Sequence, residues 1–179
     1  MKIKKNIALL LTVSAILSFS FVADGTKKLI PGVGVTGELA IGQTTREDLV
    51  KNLGGDYVEK KFYSKGEGDS VLYSSSLYYE KHGVTAWFKA GETKAFTFYF
   101  FKNSNAATKK GITVGVSTMQ DVENAYGKAE LYTNSNSMFF EYEGIAFHAP
   151  FDGKFPIKKS TKKKMMKMPV QYISIKAIE

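Results

Sequence analysis

The chain has 179 residues, with 25 Lys and Arg against 17 Asp and Glu, a formal net charge of +8, two histidines and no cysteine. Without cysteine there are no disulfide staples and no acylated lipoprotein thiol, so packing alone must hold the fold, and 13 Phe and 10 Tyr supply apolar area for it. The basicity is local: Lys2, Lys4 and Lys5 belong to the N-terminal leader and six further lysines to one loop, which leaves 16 basic against 17 acidic residues elsewhere.

MKIKK followed by the apolar run IALLLTVSAILSFSFVA reads as a secretory signal peptide over residues 1–23. The run falls short of the ~20 apolar residues of a transmembrane helix, and Asp24, Gly25 and Thr26 follow it directly. Small residues at Ser18, Ser20 and Ala23 place cleavage within 20–23. Residues 24–37 read as a flexible segment. They contain GVGVTG, formally a Gly-x-Gly-x-x-Gly pattern, but no strand precedes it and no helix opens after it to meet a pyrophosphate, so no dinucleotide is expected.

The next stretch, IGQTTREDLVKNLGG (41–55), recurs as VGVSTMQDVENAYGK (114–128) at an offset of 73 residues. Each copy reads as a helix of about nine residues. Thr44 or Ser117 can cap the start, with Glu47 or Gln120 closing a capping box; Asp48 and Asp121 suit the positive end of the dipole. Leu49 with Leu53, and Val122 with Tyr126, form one apolar stripe each, and Gly54 and Gly127 suit the helix exit.

Strands follow each helix. DYVEKKFYS (56–64) and AELYTN (129–134) are first strands, and copy one then carries 12 extra residues around SKGEGDS. The phrases LYYEKHGVTAWF (77–88) and MFFEYEGIAFHA (138–149) are alternating runs around His82-Gly83 and Glu143-Gly144, which predicts two hairpins. Alternation puts Leu77, Tyr79, Val84, Ala86 and Phe88 on one face of the first, and Met138, Phe140, Tyr142, Ile145, Phe147 and Ala149 on one face of the second. That face is the expected core. AFTFYFF (95–101) and QYISIKA (171–177) close the units, the second after a Lys-rich loop over 154–168. The expected fold class is α+β: two tandem helix-plus-four-strand antiparallel repeats, 38–102 and 111–179, forming one helix-backed sheet.

The doubled helix phrase with its terminal glycine, followed by hairpins reading aromatic–x–Gly–Ile/Val–x–Phe, resembles the β-lactamase-inhibitor-protein architecture over roughly residues 38–177. Its single unit is similar to the SmpA/OmlA (BamE) outer-membrane lipoprotein module. The resemblance implies a helix-backed antiparallel sheet whose open face binds another protein. The inhibitors' disulfides and the BamE-type lipidated cysteine have no counterpart in this chain, so the architecture and an inhibitor-like binding face carry over, with β-lactamase ranked low as the target.

The other hairpin face holds Tyr78, Glu80, Thr85 and Trp87 in one copy and Phe139, Glu141, Ala146 and His148 in the other, with Tyr99 beside them on 95–101. Open antiparallel faces are ordinarily polar, so this one calls for cover, either by chain segments or by a protein partner. Aromatics with scattered charge are what recognition hot spots contain. The partner-binding candidates are therefore Tyr78, Glu80, Trp87, Tyr99, Phe139, Glu141 and His148. Lys158, Lys159, Lys162, Lys163, Lys164 and Lys167 form a second candidate, for an anionic envelope surface, with Met165 and Met166 adding apolar contact. Two histidines without a second ligand at characteristic spacing predict no metal site. Ser74, Ser75 and Ser76 lack a nucleophile motif, and repeat symmetry accounts for Glu80 and Glu141. The sequence thus leads to a secreted or periplasmic, non-catalytic protein-binding module without cofactor or nucleic acid. The alternative is an envelope-associated structural protein held by the lysines.

Overall fold

The computed structural model describes residues 26–35, 38–65, 70–134, 136–151 and 159–178. The expected signal peptide at 1–23 lies outside them. In chain order the strands β1 (Lys27–Ile30), β2 (Gly34–Val35) and β3 (Leu39–Ala40) lead into helix α1 (Arg46–Leu53). Then come β4 (Val58–Lys65), β5 (Ser70–Tyr79), β6 (Val84–Lys89), β7 (Thr97–Phe101), β8 (Ala106–Thr108) and helix α2 (Met119–Tyr126). The chain closes with β9 (Leu131–Thr133), β10 (Ser137–Tyr142), β11 (Ile145–Pro150), helix α3 (Lys159–Met165) and β12 (Tyr172–Lys176).

The strands form an eight-stranded antiparallel sheet, in the order β4-β5-β6-β7-β12-β11-β10-β9, and a four-stranded mixed sheet, β3-β2-β1-β8. This overturns the expected α+β class. Among the described residues the molecule is mostly β, with twelve strands in two sheets and three helices of eight, eight and seven residues. The difference lies in stretches without readable periodicity. The segment expected to be flexible supplies β1 and β2, and β1 pairs in parallel with β8 near mid-chain. Two-turn helices bury too little to back eight strands by themselves, and the second sheet shares that task. Leu29, Val35 and Leu39 join Leu49 of α1 and Met119 and Val122 of α2 in the core.

Within the large sheet β4 to β7 and β9 to β12 run as two meanders that meet where β7 pairs with β12. Their local wiring is duplicated. Ile41 N–H donates to Val33 O and Val114 N–H to Ala106 O; Gly42 N–H donates to Ala95 O and Gly115 N–H to Val170 O. The helix starts also match, one residue later than expected. Thr45 caps α1 through Asp48, and Thr118 caps α2 through Asp121. Thr44 and Ser117 instead accept the backbone N–H of Ala40 and Thr113, at 2.7 and 3.0 Å.

The core lies between the two sheets and the helices. Leu77, Tyr79, Val84, Ala86 and Phe88 face it, as do Met138, Phe140, Ile145, Phe147 and Ala149, all buried. The buried Leu, Val, Ile, Met and Phe side chains contribute roughly 1.5–3 kcal/mol each by leaving water, the alanines less. Tyr142 is half-buried at the rim and donates to Gly127 O at 2.7 Å. The Lys-rich stretch departs from a loop: its described part is α3 and a following turn, with Met165 and Met166 buried in the core. The carbonyls of Met166 and Met168 accept the N–H groups of Gln120 and Met119 at the start of α2.

Candidate functional site

Strand register determines which side chains share the face turned away from the core. One row runs Tyr78, Thr85, Tyr99, Ser174, Ala146, Glu141, from β5 to β10. The next row runs Phe101, Tyr172, His148, Phe139, Tyr132, from β7 to β9. Successive residues of a strand point to opposite faces, so these rows lie opposite Phe98, Phe100, Phe140 and Phe147.

The rings on this face touch one another across almost the whole sheet. Phe62 stacks on Trp87 at 4.8 Å between centroids, Trp87 meets Tyr99 at 5.7 Å, and Tyr99 stacks on Tyr172 at 5.3 Å. The row continues from Tyr172 to His148 at 4.1 Å, to Phe139 at 4.8 Å and to Tyr132 at 5.7 Å. Tyr78 joins from the side, edge-on to Phe101 at 6.0 Å. The three rings from Tyr172 to Phe139 lie within 12° and 28° of parallel, so at these separations they stand face to face and turn edges outward. Small buried residues, Ser76, Thr85 and Ala146, make room for the large ones to lean over. Most of its rings are half-buried, His148 is buried, and Tyr132 at the end of the row is exposed.

His148 sits inside the row and is only 6% exposed, although its strand position is on the open face. Rings on both sides bury it, and that desolvation pulls its pKa from 6.5 down to about 3. Its hydrogen bonds define the tautomer. Asn134 Oδ1 accepts from the backbone N–H of Asn136 and Ser137 and from the Ser137 hydroxyl, which commits the Ser137 proton. His148 Nδ1–H therefore donates to Ser137 Oγ at 3.2 Å, and His148 Nε2 accepts from Ser174 Oγ at 2.9 Å. Tyr172 donates its phenol to Ser137 Oγ at 3.1 Å. Burial pushes the Tyr99 and Tyr172 phenols up.

A serine on an imidazole resembles a nucleophile and its base, but this imidazole is too weak a base at neutral pH. Ser174 also lies in the middle of β12, a strand paired on both sides, whose N–H groups serve the ladders rather than an oxyanion. Among the described residues no group of three or more His, Cys, Asp or Glu could hold a metal ion.

Of the partner-binding candidates, Tyr78, Trp87, Tyr99, Phe139 and Glu141 lie half-buried on this face, and Glu141 pairs with Lys176. Glu80 does not join them. It is exposed in the 3-10 turn Glu80–His82, because β5 and β6 stop pairing at Tyr79 and Val84 and the connection has four residues rather than two. Phe62, Phe101, Tyr132 and Tyr172 also belong to the row and are not among the candidates, although alternation from Tyr99 along 95–101 reaches Phe101. Of the lysines, Lys158 lies outside the described residues, and Lys159 is described only as the first residue of α3. Lys162 is half-buried with its Nζ 5.8 Å from the Phe140 ring, and Lys163, Lys164 and Lys167 are exposed. Met165 and Met166 point inward and are not free for surface contact.

No family model matches the chain, and no curated protein matches it. Among solved structures the chain is similar to the crystal structure of the uncharacterized protein yfeY from Escherichia coli, with 16% identity and a TM-score of 0.46, over 84% of this chain and 99% of that one.

Proposed function

We propose that the protein is an exported, non-catalytic binding module that captures a protein partner on the open aromatic face of its large sheet. The observation that carries this reading is the continuous row of rings from Phe62 to Tyr132 on the face turned away from the core. Side chains with an apolar body and a polar tip, such as Tyr and Trp, give large contact area with few rotors, which is why interface hot spots favour them. Stacked rings that turn their edges outward suit a protein surface better than a sugar ring, which stacks on a ring face. The apolar leader supports export.

Replacing Trp87 and Phe139 together by alanine removes two anchors of the row without touching the core face. The double variant should keep the circular dichroism of the parent and lose capture of the partner from the native culture. Trp87 is the single tryptophan of the chain, so partner binding should also shift its fluorescence. Undiminished capture by the folded double variant would contradict the reading. Salt-sensitive sedimentation with anionic vesicles that ignores the two aromatics would instead favour the exposed lysines of α3 and its turn.

A further inference from the structure

We propose that the outer edge of β4 is a self-pairing surface, on which a second copy of this chain docks antiparallel about a two-fold axis at Lys60. β4 is one edge of the eight-stranded sheet, and all its described side chains except Phe62 are exposed. Five of the ten exposed large apolar residues among those described, Tyr57, Val58, Tyr63, Val71 and Tyr73, lie on β4, just before it or on its hairpin partner β5. An edge of this kind presents unpaired backbone groups to any strand that fits it.

The backbone polarity of that edge follows from two hydrogen bonds. Ala90 N–H donates to Tyr73 O and Phe101 N–H to Gly83 O. Paired bonds recur at every second residue of an antiparallel ladder, so both bonds turn the odd residues of β5 toward β6. The even residues Ser74, Ser76 and Tyr78 then serve their partners Phe62, Lys60 and Val58 on β4. Glu59 and Lys61 are left with N–H and C=O pointing outward. The register shift at Phe62/Tyr63 puts its extra residue, Tyr73, on β5, so β4 has no insertion to bend its outer edge.

The sequence of the edge matches itself in reverse. Residues 57–63 read Tyr-Val-Glu-Lys-Lys-Phe-Tyr, and a two-fold axis at Lys60 sets Tyr57 against Tyr63, Val58 against Phe62 and Glu59 against Lys61. Each match occurs twice, and opposite charges or apolar groups directly across a ladder stabilise it. Lysine on an edge strand ordinarily discourages pairing. Here Lys61 meets an acid, and only Lys60 meets its own copy. Glu59 keeps its ion pair with Arg46 at 3.1 Å and is still partly exposed toward Lys61 of the second copy. The register keeps both open faces on the same side, so Val58 and Phe62 carry the row of rings from one copy into the other.

Sedimentation velocity over a concentration series should show a monomer–dimer equilibrium. Lys61→Pro removes an N–H that faces away from β5, so the sheet should survive and the dimer should not. Lys61→Glu leaves the backbone alone, sets acid against acid twice, and should weaken association about tenfold. Lys60→Thr removes the one repulsive match and should tighten it. The chain has no cysteine, so Lys60→Cys should cross-link under mild oxidation, because a non-hydrogen-bonded pair brings the two Cα atoms within disulfide reach. Lys61→Cys faces Glu59 and should not. A dimer that persists in folded Lys61→Pro, or a protein that stays monomeric at hundreds of micromolar with no cross-link from Lys60→Cys, would overturn the proposal.

Discussion

Between Phe139 and Tyr172, the His148 imidazole has a ring on each face and a serine on each nitrogen, an environment with no place for a second proton. The consequence for stability has a definite sign. The folded pKa of about 3 lies below the ordinary 6.5, so above pH 6.5 the group is neutral in both states and costs nothing. As the pH falls from 6.5 toward 3 the unfolded chain takes a proton that the folded chain refuses, and stability drops by up to about 1.4 kcal/mol per pH unit. The carboxyls of Asp48 and Asp121 are held below the ordinary carboxylate value, chiefly by the backbone N–H of Thr45 and Thr118, so they do not titrate between pH 6.5 and 5. Urea midpoints measured between pH 6.5 and 5 should therefore decline in the parent and stay nearly flat in His148→Gln. An equal slope in both would show that His148 is not the group responsible.

At the scale of the element, α1 and α2 are two-turn helices that would not form in isolation, and their starts show how a sheet protein holds such pieces. Thr45 and Thr118 each exchange hydrogen bonds with the aspartate three residues on, while the residue before each cap accepts the backbone N–H four residues back. Thr44 is 5% exposed and its hydroxyl satisfies the Ala40 N–H. Alanine at Thr45 or Thr118 should cost about 1 kcal/mol, the usual value of a lost cap. Alanine at Thr44 should cost more, in the range of about 1–3 kcal/mol, because it strands a part-buried donor and removes a buried side chain. Denaturant unfolding of the three single variants checks that order, and a Thr45→Ala loss exceeding that of Thr44→Ala would refute it. One helix start is not like the other in its next residue: Met119 is buried, whereas Arg46 lies over the Phe88 ring at 4.4 Å and reaches Glu59 and Ser75.

At the scale of the whole molecule, the small sheet is joined to the large one where the turn after β1 meets the turn between β10 and β11. Gly32 N–H donates to Gly144 O at 2.9 Å, and a Cβ on Gly144 would stand 2.4 Å from Gly32 N, at a φ of +70°. Gly127 has a similar positive φ but open space around it, so it isolates the conformational part of the cost. Gly127→Ala, at φ +92° and ψ 174°, should lose about 1–3 kcal/mol. Gly144→Ala should lose more than Gly127→Ala, since backbone must move as well, and should speed hydrogen exchange in β1 and β2. Equal losses at both glycines would mean that the junction does not couple the sheets.

Alternation along a strand is a property of the chain itself. It therefore placed Leu77, Phe88, Phe140 and Phe147 on one face and Trp87 and Phe139 on the other before any neighbour was known. Helix sites were legible for a similar reason, since an aspartate near the start, an i, i+4 apolar pair and a closing glycine are all local. Neighbours decided the rest. Strands of two to four residues, such as β1, β2, β3 and β8, are too short to carry a period, and β1 finds its parallel partner near mid-chain, so the second sheet and the mostly β class emerge only from tertiary pairing. The same holds for His148 and for Met165 and Met166. Spacing can say which way a side chain turns, but whether it meets water depends on what the folded chain lays over it.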